Sequence, residues 1–387
     1  MVPNGWIKTT LGNLTNGSAF GPRFSSDLYL ENGSVGVIRT TDLDAEGNIN
    51  YSTIPYANVP ESFDAHHLEE GDLLITRSGT CGIPCIFKKQ AKPIVAGAFL
   101  IRFILNEKVN AAFLHALLKS KDVQVSIQNL ASGGVQKNLT GTNLKKLELC
   151  IPPIPEQKKI AQILSTWDQA ISATEKLLEN SQQQKKVLMQ QLLTGKKRLI
   201  DENGVEFSDE WQRIELGSLL DYQQPTPYLV ESTAYSESYK TPVLTAGKTF
   251  ILGYTNESSG IYQNQLPVII FDDFTTDSKY VNFPFKAKSS AMKILTAKKG
   301  VSIKFVFESM QMLKFTVGGH QRHWISIFSN LVIPLPNLKE QQKIAEVLSL
   351  ADQEIETLQK KLDCLKLEKK ALMQQLLTGK KRVKVAA

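Results

Sequence analysis

No run of about 18 apolar residues occurs in this 387-residue chain, which excludes a membrane-spanning helix. The opening MVPNGWIKTT lacks the basic-then-apolar order of a secretory signal, so the expected address is the cytoplasm, with no membrane partner. Cysteine is scarce: Cys81, Cys85, Cys150 and Cys364 are scattered. The closest pair is separated by three residues rather than the two of a common metal or redox knuckle. Reduced structural thiols and no metal site are expected. The adjacent His66 and His67 would point apart on a helix or a strand and read as an ordinary polar loop.

Catalytic signatures are missing too. Ala246-Gly247-Lys248-Thr249 approaches a phosphate-cradling loop, but Pro242 stands where the first glycine is needed. Gly195-Lys196-Lys197 lacks the following Ser or Thr. No Asn-Pro-Pro-aromatic or Asp-Pro-Pro-Tyr methylase segment, no Pro-Asp nuclease lead, no His-Glu-x-x-His and no Gly-x-Ser-x-Gly is found. The expectation is a chain that catalyses nothing and holds no cofactor of its own.

The chain does contain a repeat. Residues 156–198 align without a gap onto residues 340–382 at an offset of 184, with 25 of 43 positions identical. The last eleven residues, LMQQLLTGKKR, recur unchanged, so chance is excluded and the segment is a duplication. Each copy reads as a helix. Pro152, Pro153 and Pro155, and Pro334 and Pro336, block an earlier start. Glu156 and Glu340 suit the first turn, and Gly195 and Gly379 supply a stop.

Alternating steps of four and three expose a heptad seam. In the first copy it runs through Ile160, Leu164, Trp167, Ile171, Thr174, Leu178, Ser181, Lys185, Leu188 and Leu192. In the second it runs through Ile344, Leu348, Ala351, Ile355, Leu358, Leu362, Leu365, Lys369, Leu372 and Leu376. Two stripes of equal length and register are expected to pair as a coiled coil. The alternative is that each helix packs on its own domain. A helix of about 38 residues is roughly 57 Å long at ~1.5 Å per residue, a span suited to acting as a ruler.

The repeats divide the chain into globular domains at 1–150 and 200–335 and helical regions at 151–199 and 336–387. Trp6-Ile-Lys-Thr-Thr-Leu11-Gly12 recurs as Trp211-Gln-Arg-Ile-Glu-Leu216-Gly217, and Gly133-Gly134-Val-Gln136-Lys137 matches Gly318-Gly319-His-Gln321-Arg322. Between these anchors the halves have diverged. Val35–Arg39, Leu73–Thr76, Ile94–Ile104, Val268–Phe271 and Val301–Phe307 read as strands, and Asn110 to about Gln128 reads as one amphipathic helix. The fold class is α+β.

Net charge is +7, but its distribution says more. Residues 1–76 carry 3 basic and 10 acidic side chains, and residues 77–150 carry 11 and 3. Residues 200–237 carry 1 and 9, and residues 238–332 carry 11 and 5. Each domain runs acidic first and basic second, as expected if its later part meets phosphates. Arg and Lys read guanine edges, and Asn and Gln read adenine. Candidate DNA contacts are therefore Arg77 and Ser78, the cluster Gln136, Lys137 and Asn138, and the cluster Gln321, Arg322 and His323. Phosphate contacts or plain solvated loops remain the alternatives at each. The KKR triplet after each helix reads as a solvated cap, with phosphate contact as the alternative.

Taken in order, IPPIPEQKKIAQILS and IPLPNLKEQQKIAEVLS, each followed by LMQQLLTGKKR, resemble the specificity subunits of type I restriction–modification systems. Gly71-Asp72-Leu73-Leu74-Ile75-Thr76-Arg77-Ser78-Gly79 looks like that family's GD-aliphatic…R-x-G segment, and Gln321-Arg322-His323-Trp324-Ile325-Ser326 looks like its late recognition motif. The resemblance implies two target-recognition domains separated by an antiparallel pair of helices. Each domain would read one half of a split, asymmetric site on double-stranded DNA. The helices would fix the spacer and dock two methylase subunits, which bind S-adenosylmethionine. The resemblance leaves open whether restriction subunits, which use ATP and Mg, join these. Leu266–Asp273, the counterpart of the GD…R-x-G segment, lacks its glycine and arginine, so Arg77 has no evident equivalent. The competing reading is a stand-alone bivalent sequence-specific DNA-binding protein.

Overall fold

A computed structural model describes residues 2–23, 25–131, 138–245, 249–313 and 323–385, without the side chains of Ser26 and His323. It divides into two contact units, Met1–Thr174 with Lys361–Ala387, and Glu175–Lys360. Both cuts fall inside long helices, α4 (Ile154–Leu192) and α8 (Leu338–Leu376), each of 39 residues. Each unit thus holds one globular domain, the first half of the helix that follows it and the last half of the other helix.

In the first unit β1 (Ile7–Thr10) pairs with β9 (Glu148–Ile151), closing the domain's ends together. A four-stranded antiparallel sheet runs β2 (Thr15–Phe20), β8 (Leu100–Leu105), β5 (Leu73–Thr76), β6 (Pro84–Ile86). A three-stranded sheet runs β4 (Tyr56–Ala57), β3 (Val35–Ile38), β7 (Ile94–Ala96), its second pairing parallel. Helices α1 (Ala111–Lys119), α2 (Lys121–Leu130) and α3 (Gly141–Lys145) follow.

The second unit repeats this topology strand for strand. Its closing pair is β10 (Gln212–Glu215) with β18 (Val332–Leu335). Its four-stranded sheet runs β11 (Leu220–Gln223), β17 (Met292–Ala297), β14 (Val268–Asp272), β15 (Ser278–Val281). Its three-stranded sheet runs β13 (Ile251–Thr255), β12 (Thr241–Leu244), β16 (Lys286–Ala287), the last pairing again parallel. Its helices are α5 (Leu216–Leu219), α6 (Ile303–Met312) and α7 (His323–Ser326).

Every residue of β5 and β14 is buried, because each central strand is covered on both faces. Leu73 and Ile75 pack with the helices while Leu74 faces the three-stranded sheet. Likewise Ile269 and Phe271 face one way, Val268 and Ile270 the other. That explains a continuous apolar run where a half-exposed strand would alternate.

Three local readings need correction. Val301–Phe307 is not a strand: Ser302 accepts the N–H of Phe305 and caps α6, so capping overrides the β-branched content. The helix read over Asn110–Gln128 is two helices, broken at the extended Ser120. Ile94–Ile104 is two strands, since Leu100 N–H bonds back to Gly97 in a turn.

Every position of both seam stripes is buried or half-buried, including Trp167, Ile171, Ile355, Leu358 and Leu372. In the first unit Ile160 and Leu164 share one core with Leu376, Leu377, Phe113 and Trp6. In the second, Leu192 and Leu193 share one with Ile344, Leu348, Phe305 and Trp324, and Leu188 packs on its edge. Helix-to-helix and helix-to-domain packing therefore coexist in each unit. Leu178 and Leu362 are buried at mid-helix.

Antiparallel pairing within each unit is fixed by ion pairs that the repeat duplicates. Arg198, just past α4, forms a bidentate pair with Glu340 in the first turn of α8, at 2.6 and 2.7 Å. Arg382, just past α8, does the same with Glu156 in the first turn of α4, at 2.7 and 2.7 Å. Glu340 is fully buried and Glu156 nearly so. Trp211 Nε1 also donates to Glu340, and Arg382 also donates to the carbonyl of Asn4. The last arginine of each KKR triplet is thus a structural group, whereas Lys196, Lys197, Lys380 and Lys381 are exposed. Gly195 and Gly379 have φ of +72° and +69°, a conformation glycine adopts at no steric cost. A Cβ at Gly379 would stand 2.5 Å from Pro3.

The seam lysines are paired in the same duplicated manner, Lys185 with Asp352 and Lys369 with Asp168. In the second unit alone α6 adds Lys304 and the fully buried Glu308, which bridges Lys304 at 2.7 Å and Lys185 at 3.1 Å. Burial works against ionisation of Asp352, but hydrogen bonds from Lys185 and Lys304 outweigh it and hold its carboxyl below the usual range.

Replacing Glu340 with Ala leaves Arg198 half of a buried pair, which should cost about 3–5 kcal/mol. Thermal melting should show this as a lowered Tm, and Lys343→Ala on an exposed pair should shift Tm little.

Candidate nucleic-acid interface

The strand ends of the central sheets bring sequence-distant polar groups together. In the first domain Arg77 immediately follows β5. Its guanidinium lies 4.3 Å from the ring centroid of Phe20 at the end of β2, and its Nε donates to Asn138 Oδ1 at 3.4 Å. Ser78 forms an antiparallel bridge with Asn138, and the N–H of Leu139 donates to the Arg77 carbonyl at 2.9 Å. Arg77 and Ser78 are half-buried and Asn138 is exposed.

Local chemistry fixes this corner. Thr76 Oγ1 donates to the Thr80 carbonyl at 2.6 Å and accepts the Ile83 N–H at 2.9 Å, closing a tight turn through Gly79. A Cβ at Gly79 would meet nothing within 4 Å, so the outer side of the turn is open. Arg77, Ser78 and Asn138 are thus one cluster. Gln136 and Lys137, which precede Asn138, lie outside the described residues.

The Asp72 of the GD…R-x-G segment does different work. It is buried and pairs with Arg102 of β8 at 2.6 Å, while the N–H of Glu69 donates to it at 2.9 Å. Arg102 also reaches the Ala65 carbonyl at 3.2 Å. Burial pushes the Asp72 carboxyl upward despite that cation. This pair braces the sheet from behind Arg77. It could have been anticipated only from the register, which sets Leu74 opposite Arg102.

In the second domain Gln321 and Arg322 lie outside the described residues, and for His323 the backbone alone is described, at the start of α7. Its neighbour Trp324 is buried, and the Trp324 N–H donates to Asp273 Oδ1 at 2.9 Å. Asp273 follows β14 and lies 3.4 Å from Lys293 of β17. Together with Gln224, Phe274, Ser290 and Ala291 these two line a pocket of about 270 Å³. Sequence reasoning missed Asp273, Lys293 and Gln224, because strand pairing alone makes them neighbours. Among the described residues no group of three or more His, Cys, Asp or Glu could hold a metal, and no helix is long and apolar enough to cross a membrane.

This architecture has known likenesses. The family described as type I restriction modification DNA specificity domain matches residues 3–181 and 208–367. The chain is 52% identical to the type I restriction enzyme EcoR124I/EcoR124II specificity subunit of Escherichia coli over 144 residues, 36% of this chain and 34% of that protein. It is 27% identical to the putative type I restriction enzyme MjaX specificity subunit of Methanocaldococcus jannaschii over 356 residues, 84% of this chain and 81% of that protein. In fold it is similar to the type I restriction–modification S subunit of M. genitalium, with a TM-score of 0.66, 18% identity and coverage of 97% of this chain and 99% of that one. A second likeness, to the HsdS subunit of Thermoanaerobacter tengcongensis, has a TM-score of 0.50 and 15% identity, covering 98% of each chain.

Replacing Arg102 with Met should strand the Asp72 carboxylate and destabilise the first domain by about 3 kcal/mol. An unpaired buried carboxyl titrates above its unfolded value, so the folded state binds the extra proton and stability falls as pH rises. The variant should therefore melt closer to wild type at pH 5 than at pH 7. Equal deficits at both values would count against the brace.

Proposed function

Because the chain belongs to the type I restriction–modification DNA specificity family, we propose that it is the sequence-reading subunit of such a complex and performs no catalysis itself. Each domain reads one half of a bipartite, asymmetric DNA site. The two long helices set the distance between half-sites and offer the surface on which two methylase subunits dock. S-adenosylmethionine belongs to those partners, and ATP and Mg to any restriction subunits that join them. The observation that carries this reading is duplication without conservation. Two domains share one strand order and one pair of helix locks, yet differ in the residues at the strand ends, as two readers of unlike sequences must.

In the first domain Arg77 is the favoured base or phosphate contact, with Ser78 and Asn138 beside it. The unlike charges of each domain's earlier and later parts support contact through the later, basic part. Gln136, Lys137, Gln321, Arg322 and His323 stay in the proposal on their residue types, Arg and Gln being suited to purine edges.

Co-expression with the neighbouring methylase gene product, followed by gel filtration, should give one co-eluting complex, and separate elution would sink the reading. Methylome sequencing of the host with and without the gene should then show one bipartite motif that depends on it. In that assay Arg77→Ala should weaken or relax one half-site by about ten- to hundredfold while leaving the other unchanged.

The ruler idea carries its own measurement. Four residues inserted after Gln191 lengthen α4 by ~6 Å with only ~40° of extra rotation. The half-sites should be retained and the preferred spacer should grow by a base pair or two. Altered half-sites with an unchanged spacer would refute the ruler.

A further inference from the structure

The strand registers align the two domains where their sequences do not. β5 sets Leu73 opposite Phe103 and Thr76 opposite Leu100, and β14 sets Ile269 opposite Leu295 and Asp272 opposite Met292. Superimposing these pairs matches Arg77 with Asp273 and Ile101 with Lys293. On the next strand Phe20 stands opposite Ile101 and Gln223 opposite Ile294, so Phe20 matches Gln224. An independent bond agrees with this alignment. The Leu139 N–H reaches the Arg77 carbonyl and the Trp324 N–H reaches the Asp273 carboxylate. Leu139 and Trp324 each stand five residues after the second glycine of their Gly-Gly pairs.

At this shared point the charges have changed places. In the first domain the strand-end residue is the cation, Arg77, and Ile101 beneath it is neutral. In the second the strand-end residue is the anion, Asp273, and the cation rises from the position beneath, Lys293. An exposed phenylalanine rims each site, Phe20 at 44% and Phe274 at 49% exposure.

Lys293 is 2% exposed, and a buried ammonium is costly unless its donors are satisfied. Its one charged partner among the described residues is the Asp273 carboxylate, at 3.4 Å. That is longer than the ~2.7–2.9 Å of a charge-assisted hydrogen bond. Asp273 already accepts the Trp324 N–H. The Tyr222 ring adds a cation–π contact, 5.8 Å from its centroid, but accepts no short N–H bond, so Lys293 lines an open pocket with hydrogen-bond donors to spare.

We infer that Lys293 is the second domain's replacement for Arg77: it donates to an acceptor of duplex DNA entering this pocket, with Gln224 as a second polar contact. The inference rests on the DNA-reading function proposed above. Guanine O6 or N7 and a phosphate oxygen offer the same acceptor chemistry, and they differ in consequence.

The test uses the complex with its methylase subunits. Asp273→Asn with Lys293→Met removes both charges while keeping an oxygen for the Trp324 N–H. If the contact is to a base, one position in one half-site should relax by about ten- to hundredfold in the methylome, the other half-site being unchanged. If it is to phosphate, affinity should fall for all sequences and the slope of log affinity against log salt should drop by about 1. A folded double variant with unaltered half-sites, affinity and salt slope overturns the inference. If thermal melting shows that the double variant is unfolded, Gln224→Ala and Phe274→Ala at the rim take its place. Unchanged recognition in both then overturns it. A wild-type complex with no gene-dependent bipartite methylation would instead remove the function reading, and this inference with it.

Discussion

Two buried carboxylates organise this protein. Glu156 and Glu340 sit in the first turns of α4 and α8, where the helix dipole favours negative charge. Each also receives a two-pronged arginine from the far end of the other repeat. A buried carboxylate without such a partner would be costly, so the start of one helix and the end of the other are obligatory neighbours. Antiparallel pairing within each unit follows from this constraint. So does the closeness of each domain to both helices, because Trp211 donates to the same Glu340 and Arg382 to the Asn4 carbonyl.

The locks also explain what the duplication preserves. Lys185–Asp352 and Lys369–Asp168 are the same pair in two settings, as are the two arginine locks. Between the locks the domains have drifted. The second unit has placed Lys304 and the buried Glu308 of α6 against the Lys185–Asp352 pair. Duplicated pairs hold the frame, and each domain adds its own charges to it.

Much of this was legible in the sequence, and unevenly so. The helices could be read because their period, prolines and glycines are local signals that agree with one another. The seam stripe of Ile160, Leu164, Ile344 and Leu348 follows from spacing alone. The relation between β5 and β14 also showed through, since Leu266–Asp273 stands where the GD…R-x-G segment is expected and both strands are short, mainly apolar runs. What failed was local competition: Val301–Phe307 has strand composition, yet Ser302 caps a helix there. The Asp72–Arg102 brace and the Asp273–Lys293 pocket were invisible for another reason. They depend on which strands pair and in what register, and no nearby residue encodes that.

The central strands are buried on both sides, so almost any change within Leu73–Thr76 or Val268–Asp272 is a change to folding. The first residues released from that burden are Arg77, just past β5, and Phe274, beyond the buried Asp273 that follows β14, together with their neighbours Phe20 and Gln224. A lineage under pressure to recognise something new has few other positions where novelty is cheap. Variation should therefore collect at these corners, and the framework could outlast many successive recognition specificities.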